Sequence, residues 1–382
     1  MKKTYKQCIA GLLGAALLVS TPVCAQAAGV VVAGGESGGA NSQAGPGVSS
    51  GNVTEIPGRV DYFSASVSNP VVPTTASYSY ERMVQDIQSL QARYGSHMTV
   101  NTIGTSLDGR AIYEIVLGNV NAEKHILIHA GIHAREHMTS LLVMKQLEYG
   151  LAFYNSGNYA GTSLSELLNR VAVHFVPMVN PDGIALCQNG IDAIRSSQLR
   201  DTIRQCYADD TAQGRTAASF EDYLLRWKSN ARGVDLNQNF PADWEAVDSC
   251  PNPSYAVYRG PSALSELESQ ALAALADSRS WAASISYHST GNLIYWDYAG
   301  NRVQQASGEL ATIVSANTGC PTANSSGHGG FKDWAQIKDN PIPSLTIETG
   351  SVACPLPLSE YADVWNRNKM VWALVALYAM NH

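Results

Sequence analysis

His133-Ala134-Arg135-Glu136 sets an imidazole and a carboxylate three residues apart. In a tight turn or the first turn of a helix, residues i and i+3 share a face, so both can converge on one cation. A working site needs a third ligand, and His288 in SISYHSTG is the candidate, because it too closes an apolar run. Two His and one Glu leave a fourth position open to water, the arrangement of a catalytic rather than a structural zinc. The chain has nine histidines, and a lone histidine is more often a core or surface residue. His97 and His382 take that reading, and His125, His129 and His174, inside apolar runs, are expected to face the layers covering a sheet. His137 competes as a ligand, being four residues from His133; but HAREH is not HExxH, and Glu136 would be left idle.

The elements that must position these groups are legible as alternating periods. YSYERMVQDIQSLQARYG places Met83, Ile87, Leu90 and Tyr94 at helical spacing, and the folded domain is expected to open at Tyr78. TVNTIGTS and AIYEIVLG, separated by Asp108-Gly109, read as a hairpin. HILIHAG is a short strand stopping at Gly131, MTSLLVMKQLEYGLAFY a helix, and VAVHFVPMVNPDG a buried strand running into a Pro-Asp-Gly turn. SELESQALAALADS reads as a helix, SWAASISYHS and IPSLTIETG as strands, and YADVWNRNKMVWALVALYAM as one terminal amphipathic helix. Strands alternating with helices predict an α/β fold, with catalytic groups at strand ends.

Composition narrows the function classes. The 382 residues, 45% hydrophobic and 15% charged, suffice for a large packed core. With 25 basic against 32 acidic residues and a net charge of -7, the chain is no general nucleic-acid binder. Lys2, Lys3 and Lys6, the apolar run CIAGLLGAALLVS and Ala25-Gln26-Ala27 predict a signal peptide over 1–27, and hence export. Residues 28–77, with GGESGGANSQAGPGVSSG, predict a flexible Gly/Ser-rich linker or short pro-segment. Cys187, Cys206, Cys250, Cys320 and Cys354 remain beyond the signal; two disulfides and one thiol would suit an oxidising compartment, and no CxxC pair suggests a cysteine zinc site.

HAREH, VNPDG, NARGVDLNQNF, YRGPSALSELES, SYHSTG and TIETG occur in the order found in zinc carboxypeptidases of the carboxypeptidase A type. From Tyr78 to the C-terminus the chain resembles that family. It looks most like the exported bacterial branch that includes γ-D-glutamyl-diamino-acid peptidases of cell-wall (murein) peptides. The resemblance implies a three-layer α/β/α sandwich with a central mixed, mostly parallel sheet over 78–382. It implies one zinc ion per chain on His133, Glu136 and His288, with His137 a packing neighbour.

It also implies a mechanism. A general base must take a proton from the attacking water and return it to the leaving amine. Glu348 in LTIETG is the candidate: it ends an apolar strand, where a carboxylate has little reason to be unless it faces a cleft, and the family's catalytic glutamate stands there. A fixed positive donor must meet the developing oxyanion. Arg232 in RWKSNARGVDLNQNF is the first choice, for its forked guanidinium and its NARG context, with Lys228 as the alternative. Asp235 is expected to hydrogen-bond a ligand histidine and fix its tautomer. Arg135 and Ser289 resemble substrate-contacting positions.

Departures from the family pattern bear on the substrate. Where an Asn and an Arg clamp the substrate's terminal carboxylate, this chain has Asn237 and Gln238. A neutral amide in place of the guanidinium should lose a charge-assisted contact of roughly 1.5–3 kcal/mol. The family's mobile active-site tyrosine is replaced by a serine near that position, and Lys332 stands where the residue at the base of the side-chain pocket belongs. An ammonium there would attract an acidic group, such as the extra carboxylate of meso-diaminopimelate or that of glutamate. The expected function is a secreted or cell-wall-associated zinc metallopeptidase of peptidoglycan stem peptides, cutting near γ-D-glutamyl-diaminopimelate. The alternatives are a carboxypeptidase releasing acidic residues from ordinary peptides and a catalytically silent zinc or wall-binding module. Expected partners are the peptide or murein-peptide substrate alone, with no nucleic acid and no membrane span after signal cleavage, in a monomer.

Overall fold

Strands buried on both faces read as near-continuous apolar runs rather than as alternation, and HILIH, VAVHFV, ASISYH and SLTI have that character. In the computed structural model they form the centre of an eight-stranded sheet. The structure describes residues 52–53, 63–325 and 327–382. The signal peptide read over 1–27 and most of the segment 28–77 lie outside the described residues.

In chain order the elements that frame the site are α1 (Tyr80–Tyr94), β1 (Met98–Thr105), β2 (Ala111–Leu117), β3 (Lys124–His129), α2 (Met138–Ala152), β4 (Val171–Val176), α3 (Pro181–Asn189), α4 (Ser197–Ala212) and α5 (Leu267–Asp277). They continue with β5 (Ala283–His288), β6 (Leu293–Asp297), α6 (Gln304–Thr318), β7 (Thr322–Asn324), α7 (Phe331–Ile337), β8 (Ser344–Glu348), α8 (Tyr361–Asn368) and α9 (Val371–Asn381). The strand order is β7-β6-β8-β5-β3-β4-β2-β1. The four central strands, β8, β5, β3 and β4, are mutually parallel, while β1–β2, β2–β4 and β6–β8 pair antiparallel. The fold is thus an α/β sandwich on a mixed, mostly parallel sheet.

Side-chain alternation on β3 divides the core. Ile126 and Ile128 join the layer containing α2, α6 and α9, whereas Leu127 joins Phe240, Phe331 and the residues of α5 on the other face. All three are fully buried, each worth about 1.5–3 kcal/mol of apolar transfer. The predicted hairpin is β1–β2, with Met98 opposite Leu117 and Gly109 at φ +82° in its turn.

Four expectations change. The Pro-Asp-Gly segment is the first turn of α3 rather than a free turn: Asn180 caps it by accepting from Gly183 N at 3.0 Å, and Pro181 supplies the φ a helix start wants. The terminal helix divides into α8 and α9, and Val371–Ala376 are buried on every side, so α9 is a core helix rather than an amphipathic one. The linker expected through residue 77 ends earlier. Val72 is fully buried, Val71 N and Val72 N donate to Glu148 Oε1 and Oε2 at 2.5 and 3.2 Å, and Arg82 Nη2 donates to Val71 O at 2.8 Å. The five described cysteines are all free thiols, not two disulfides and one thiol. Among the described residues no helix is long and apolar enough to cross a membrane.

Candidate metal centre and active site

The central parallel strands deliver their C-terminal ends to one edge of the sheet, where open α/β sheets bind ligands. β3 leaves the sheet at His129 and turns at Gly131, whose φ is +63°. A Cβ on Gly131 would lie 2.6 Å from Ser140 Oγ and 2.9 Å from Ile184 Cδ1, so the turn requires glycine. The chain then makes a single 3-10 turn over Ala134–Glu136, which puts His133 and Glu136 on one side. Asn180 fixes this loop: its Nδ2 donates to Ile132 O at 3.2 Å and to Ser229 O at 3.0 Å, while its backbone N donates to Gly131 O at 2.9 Å.

His288, the last residue of the neighbouring strand β5, completes the group. Its Nδ1 lies 3.1 Å from His133 Nδ1 and 3.1 Å from Glu136 Oε2, and His133 Nδ1 lies 2.8 Å from Glu136 Oε1. All three side chains are buried, and their ligand atoms lie within 4.8 Å of one another. His133 Nε2 faces Asp235 Oδ1 at 3.2 Å, a contact that places the ring proton on Nε2 and leaves Nδ1 as a lone pair. Burial works against the charge of Glu136, but His133 and His288 outweigh it and hold its carboxyl well below the usual range. Burial likewise opposes the charge of Asp235, which Lys228 and His133 keep ionised. Two imidazole nitrogens and a carboxylate oxygen converge here, the donor set of a zinc site with one position left open. Zinc–ligand bonds of about 2.0–2.1 Å in tetrahedral geometry set ligand atoms roughly 3.3 Å apart, close to the separations here. The residues present fit a zinc ion. His137, the competing ligand, is buried nearby but outside the converging group, and burial pulls its imidazole down to about 4.

Glu348 ends β8 directly opposite His288 in the parallel register. Its Oε2 is buried without a hydrogen-bond partner. Burial pushes the carboxyl up to about 7, against the pull of His288 and with the push of Glu136. Glu348 forms one wall of a cleft of about 500 Å³ that also meets Lys228, Asn237, Gln238, Lys332 and Asp333. Ser325 lines the same cleft, in the stretch where the family's tyrosine is missing. Gln238 Oε1 and Arg135 Nε are buried and unpartnered, whereas Asn237 Oδ1 is engaged by Phe331 N at 3.1 Å.

Three expected roles are corrected. Arg232 points away from the cleft to Glu266 Oε1, at 2.5 Å, and to Ser265 O. Of the two candidates, Lys228 is the one that lines the cleft, and its Nζ donates to Asp235 Oδ2 at 2.7 Å. Buried Glu266 attracts the arginine, and no spacing rule in the sequence foretells that pairing. Ser289, expected at the substrate, is engaged within the protein: its backbone N donates to Glu136 Oε2 at 3.2 Å, and its hydroxyl pairs with Thr349 Oγ1 at 3.1 Å. Lys332 does reach the cleft, but not as a lone ammonium, because Asp333 Oδ1 lies 2.5 Å from its Nζ. Asp333, in the cleft beside Lys332, and Asn180, which ties the His133 loop, are absent from the sequence expectations; the available signals are the acid adjacent to Lys332 and the asparagine opening NPDG.

The pattern described for zinc carboxypeptidases matches residues 83–369. The chain belongs to the zinc carboxypeptidase family. It is 32% identical over 293 residues to the γ-D-glutamyl-L-diamino acid endopeptidase 1 of Lysinibacillus sphaericus, covering 76% of this chain and 69% of that protein. It is 26% identical to carboxypeptidase B of Astacus astacus, over 51% of this chain and 54% of that one. The structure of thrombin-activatable fibrinolysis inhibitor superposes with a TM-score of 0.62 at 19% identity, over 83% of this chain and 79% of the other, which shows the shared fold. As a member of this family the chain is a metallopeptidase, and family membership implies zinc at the buried His-Glu-His group.

Proposed function

We propose that this protein hydrolyses a peptide bond in peptidoglycan stem peptides, next to a γ-D-glutamyl residue, with one zinc ion per chain. His133 Nδ1, His288 Nδ1 and the Glu136 carboxylate would hold the ion. Bound there, zinc supplies the Lewis acidity that polarises a peptide carbonyl and acidifies water toward a pKa of about 7. Glu348 takes a proton from the attacking water at its carboxylate and hands it to the leaving amine nitrogen. Its elevated pKa suits both halves of that task near neutral pH. Lys228 Nζ, anchored by Asp235, supplies the fixed positive donor for the charge developing on the carbonyl oxygen. Arg135, Asn237 and Gln238 bind the substrate around the cut bond.

The observation that carries the substrate reading is Gln238, an unpartnered amide on the cleft wall where a carboxylate clamp would need a guanidinium. The relationship to the Lysinibacillus endopeptidase supports it. We propose further that residues 1–27 direct export, that 28 to about 63 form a linker or pro-segment, and that the mature protein works as a secreted or wall-associated monomer without nucleic-acid partners. The competing reading is a carboxypeptidase that releases acidic residues, which an unpaired Lys332 would have favoured; its pairing with Asp333 weakens that reading. Purified protein incubated with defined stem peptides, and separately with linear L-peptides ending in Glu or Asp, decides by mass spectrometry. Cleavage of stem peptides alone is expected. Release of acidic residues with stem peptides intact overturns the proposal.

A further inference from the structure

One imidazole on the cleft wall takes no part in the chemistry above. His328 is half-buried and lines the cleft with Gly327 and Gly330. Its segment is stitched to the one that carries Asn237 and Gln238. Gly329 N donates to Ala242 O at 2.7 Å, Phe240 N to Gly329 O at 2.9 Å, and Phe331 N to Asn237 Oδ1 at 3.1 Å. Gly329 has φ +76°, and a Cβ there would lie 2.7 Å from Gln238 O, so this close approach requires glycine. Hydrogen accounting then fixes what His328 shows the cleft. Tyr298 Oη donates to Asp243 Oδ2 at 2.6 Å, because a carboxylate only accepts. Burial, helped by Asp243, pushes the Tyr298 phenol well above its usual value, which keeps it a donor. The phenol oxygen is left to accept, so His328 Nδ1, 2.9 Å away, carries the ring hydrogen. His328 Nε2 is therefore a lone pair, and it has no partner among the described residues.

We propose, resting on the peptidase reading above, that His328 is a substrate-binding residue whose Nε2 accepts a hydrogen bond from a second peptide N–H, one residue beyond the cut bond. Tyr298 and Asp243 are positioning residues that hold the accepting tautomer. Glu348, which returns the proton to the leaving amine, walls this same cleft, so the leaving half of the substrate lies in it. A terminal carboxylate at that point has no hydrogen to give. It would meet the lone pair of His328 and the charge of Asp248, which lines the cleft too. The ammonium groups of the cleft are already answered, Lys228 by Asp235 at 2.7 Å and Lys332 by Asp333 at 2.5 Å. The wall therefore reads a chain that continues past the cut bond, and it favours internal cleavage over release of a terminal residue.

One γ-D-glutamyl dipeptide in three forms tests this. Its terminal main-chain carboxyl is left free, made a methyl ester, or made an N-methylamide, which alone presents the N–H. The wild-type enzyme is expected to cleave the N-methylamide with kcat/KM about 10-fold above the ester and above the acid, the worth of one hydrogen bond. In His328→Ala the preference over the ester should vanish, mainly through KM. In Tyr298→Phe, nitrogen NMR of the His328 ring should show the Nδ1–H form giving way to a mixture of tautomers, and the preference should shrink with it. Equal rates on all three forms with wild-type enzyme, or fastest cleavage of the acid, overturn the inference and leave the peptidase reading standing, and neither result needs a variant to fold. An amide preference undiminished in His328→Ala overturns it as well. Failure to cleave any of the three, with an ordinary L-peptide cleaved, overturns both.

Discussion

Glu348 and His288 stand side by side at the ends of adjacent parallel strands, paired in register as β8 meets β5. One is the base and the other a metal ligand in the proposed reaction, so their relative position is set by sheet hydrogen bonding rather than by loops. His133 follows β3, the next strand over. Three neighbouring strand ends thus fix the chemical group, and the helical layers on both faces hold the sheet rigid.

Replacing Glu348 by Gln keeps the shape and removes the proton acceptor. The expected loss in kcat is roughly 100- to 10,000-fold, with zinc content and thermal unfolding little changed. A variant retaining full activity would remove Glu348 from the mechanism.

The exchange of Arg232 for Lys228 gives an opposed pair of outcomes. Lys228→Met should cost about 100- to 1000-fold in kcat, as expected for an oxyanion donor. Arg232→Met should leave kcat within a few-fold and instead lower stability, because buried Glu266 loses its cation while keeping Asn230 Nδ2 at 2.8 Å. The reverse ranking in steady-state kinetics would restore the arginine.

Glu268 on α5 makes a pH prediction away from the metal. It is fully buried, its Oε1 has no partner, and burial, helped by the charges of Asp182 and Glu266, raises its carboxyl to about 7. Between roughly pH 4.3, the ordinary glutamate value, and 7, the folded protein holds a proton that the unfolded chain has released. This contribution to stability is present at acid pH and is lost as pH rises through 7. Chemical denaturation of wild type and Glu268→Gln should therefore agree near pH 4 and diverge upward, with the variant more stable by on the order of 3 kcal/mol at pH 8. A pH-independent difference would contradict the assignment.

How far the sequence led depends on whether a group is positioned locally or from a distance. His133, Glu136, His288 and Glu348 were legible because each closes, or directly follows, an apolar strand, and strand ends in a parallel sheet share one edge. The PDG segment misled because Pro and Gly serve turns and helix starts alike; what decided was Asn180, an N-cap immediately before them. Lys228 and Arg232 lie four residues apart in one loop, and only Glu266, 34 residues beyond the arginine, separates their roles. Lys332 lines the cleft, and the acid at the next position, Asp333, faces its ammonium, a neighbour that pocket-base alignment alone does not weigh. The strands β6 and β7 lie outside the sequence expectations: both are short, five and three residues, and β7 is a polar edge strand, TAN.

The most direct measurement is the zinc content of the purified protein, by elemental analysis after dialysis, for wild type and His288→Ala. The account predicts one zinc per wild-type chain, activity lost on chelation and restored by zinc, and a His288→Ala protein that folds but retains far less metal. Full zinc occupancy in that variant, or wild-type hydrolysis that survives complete metal removal, would contradict it.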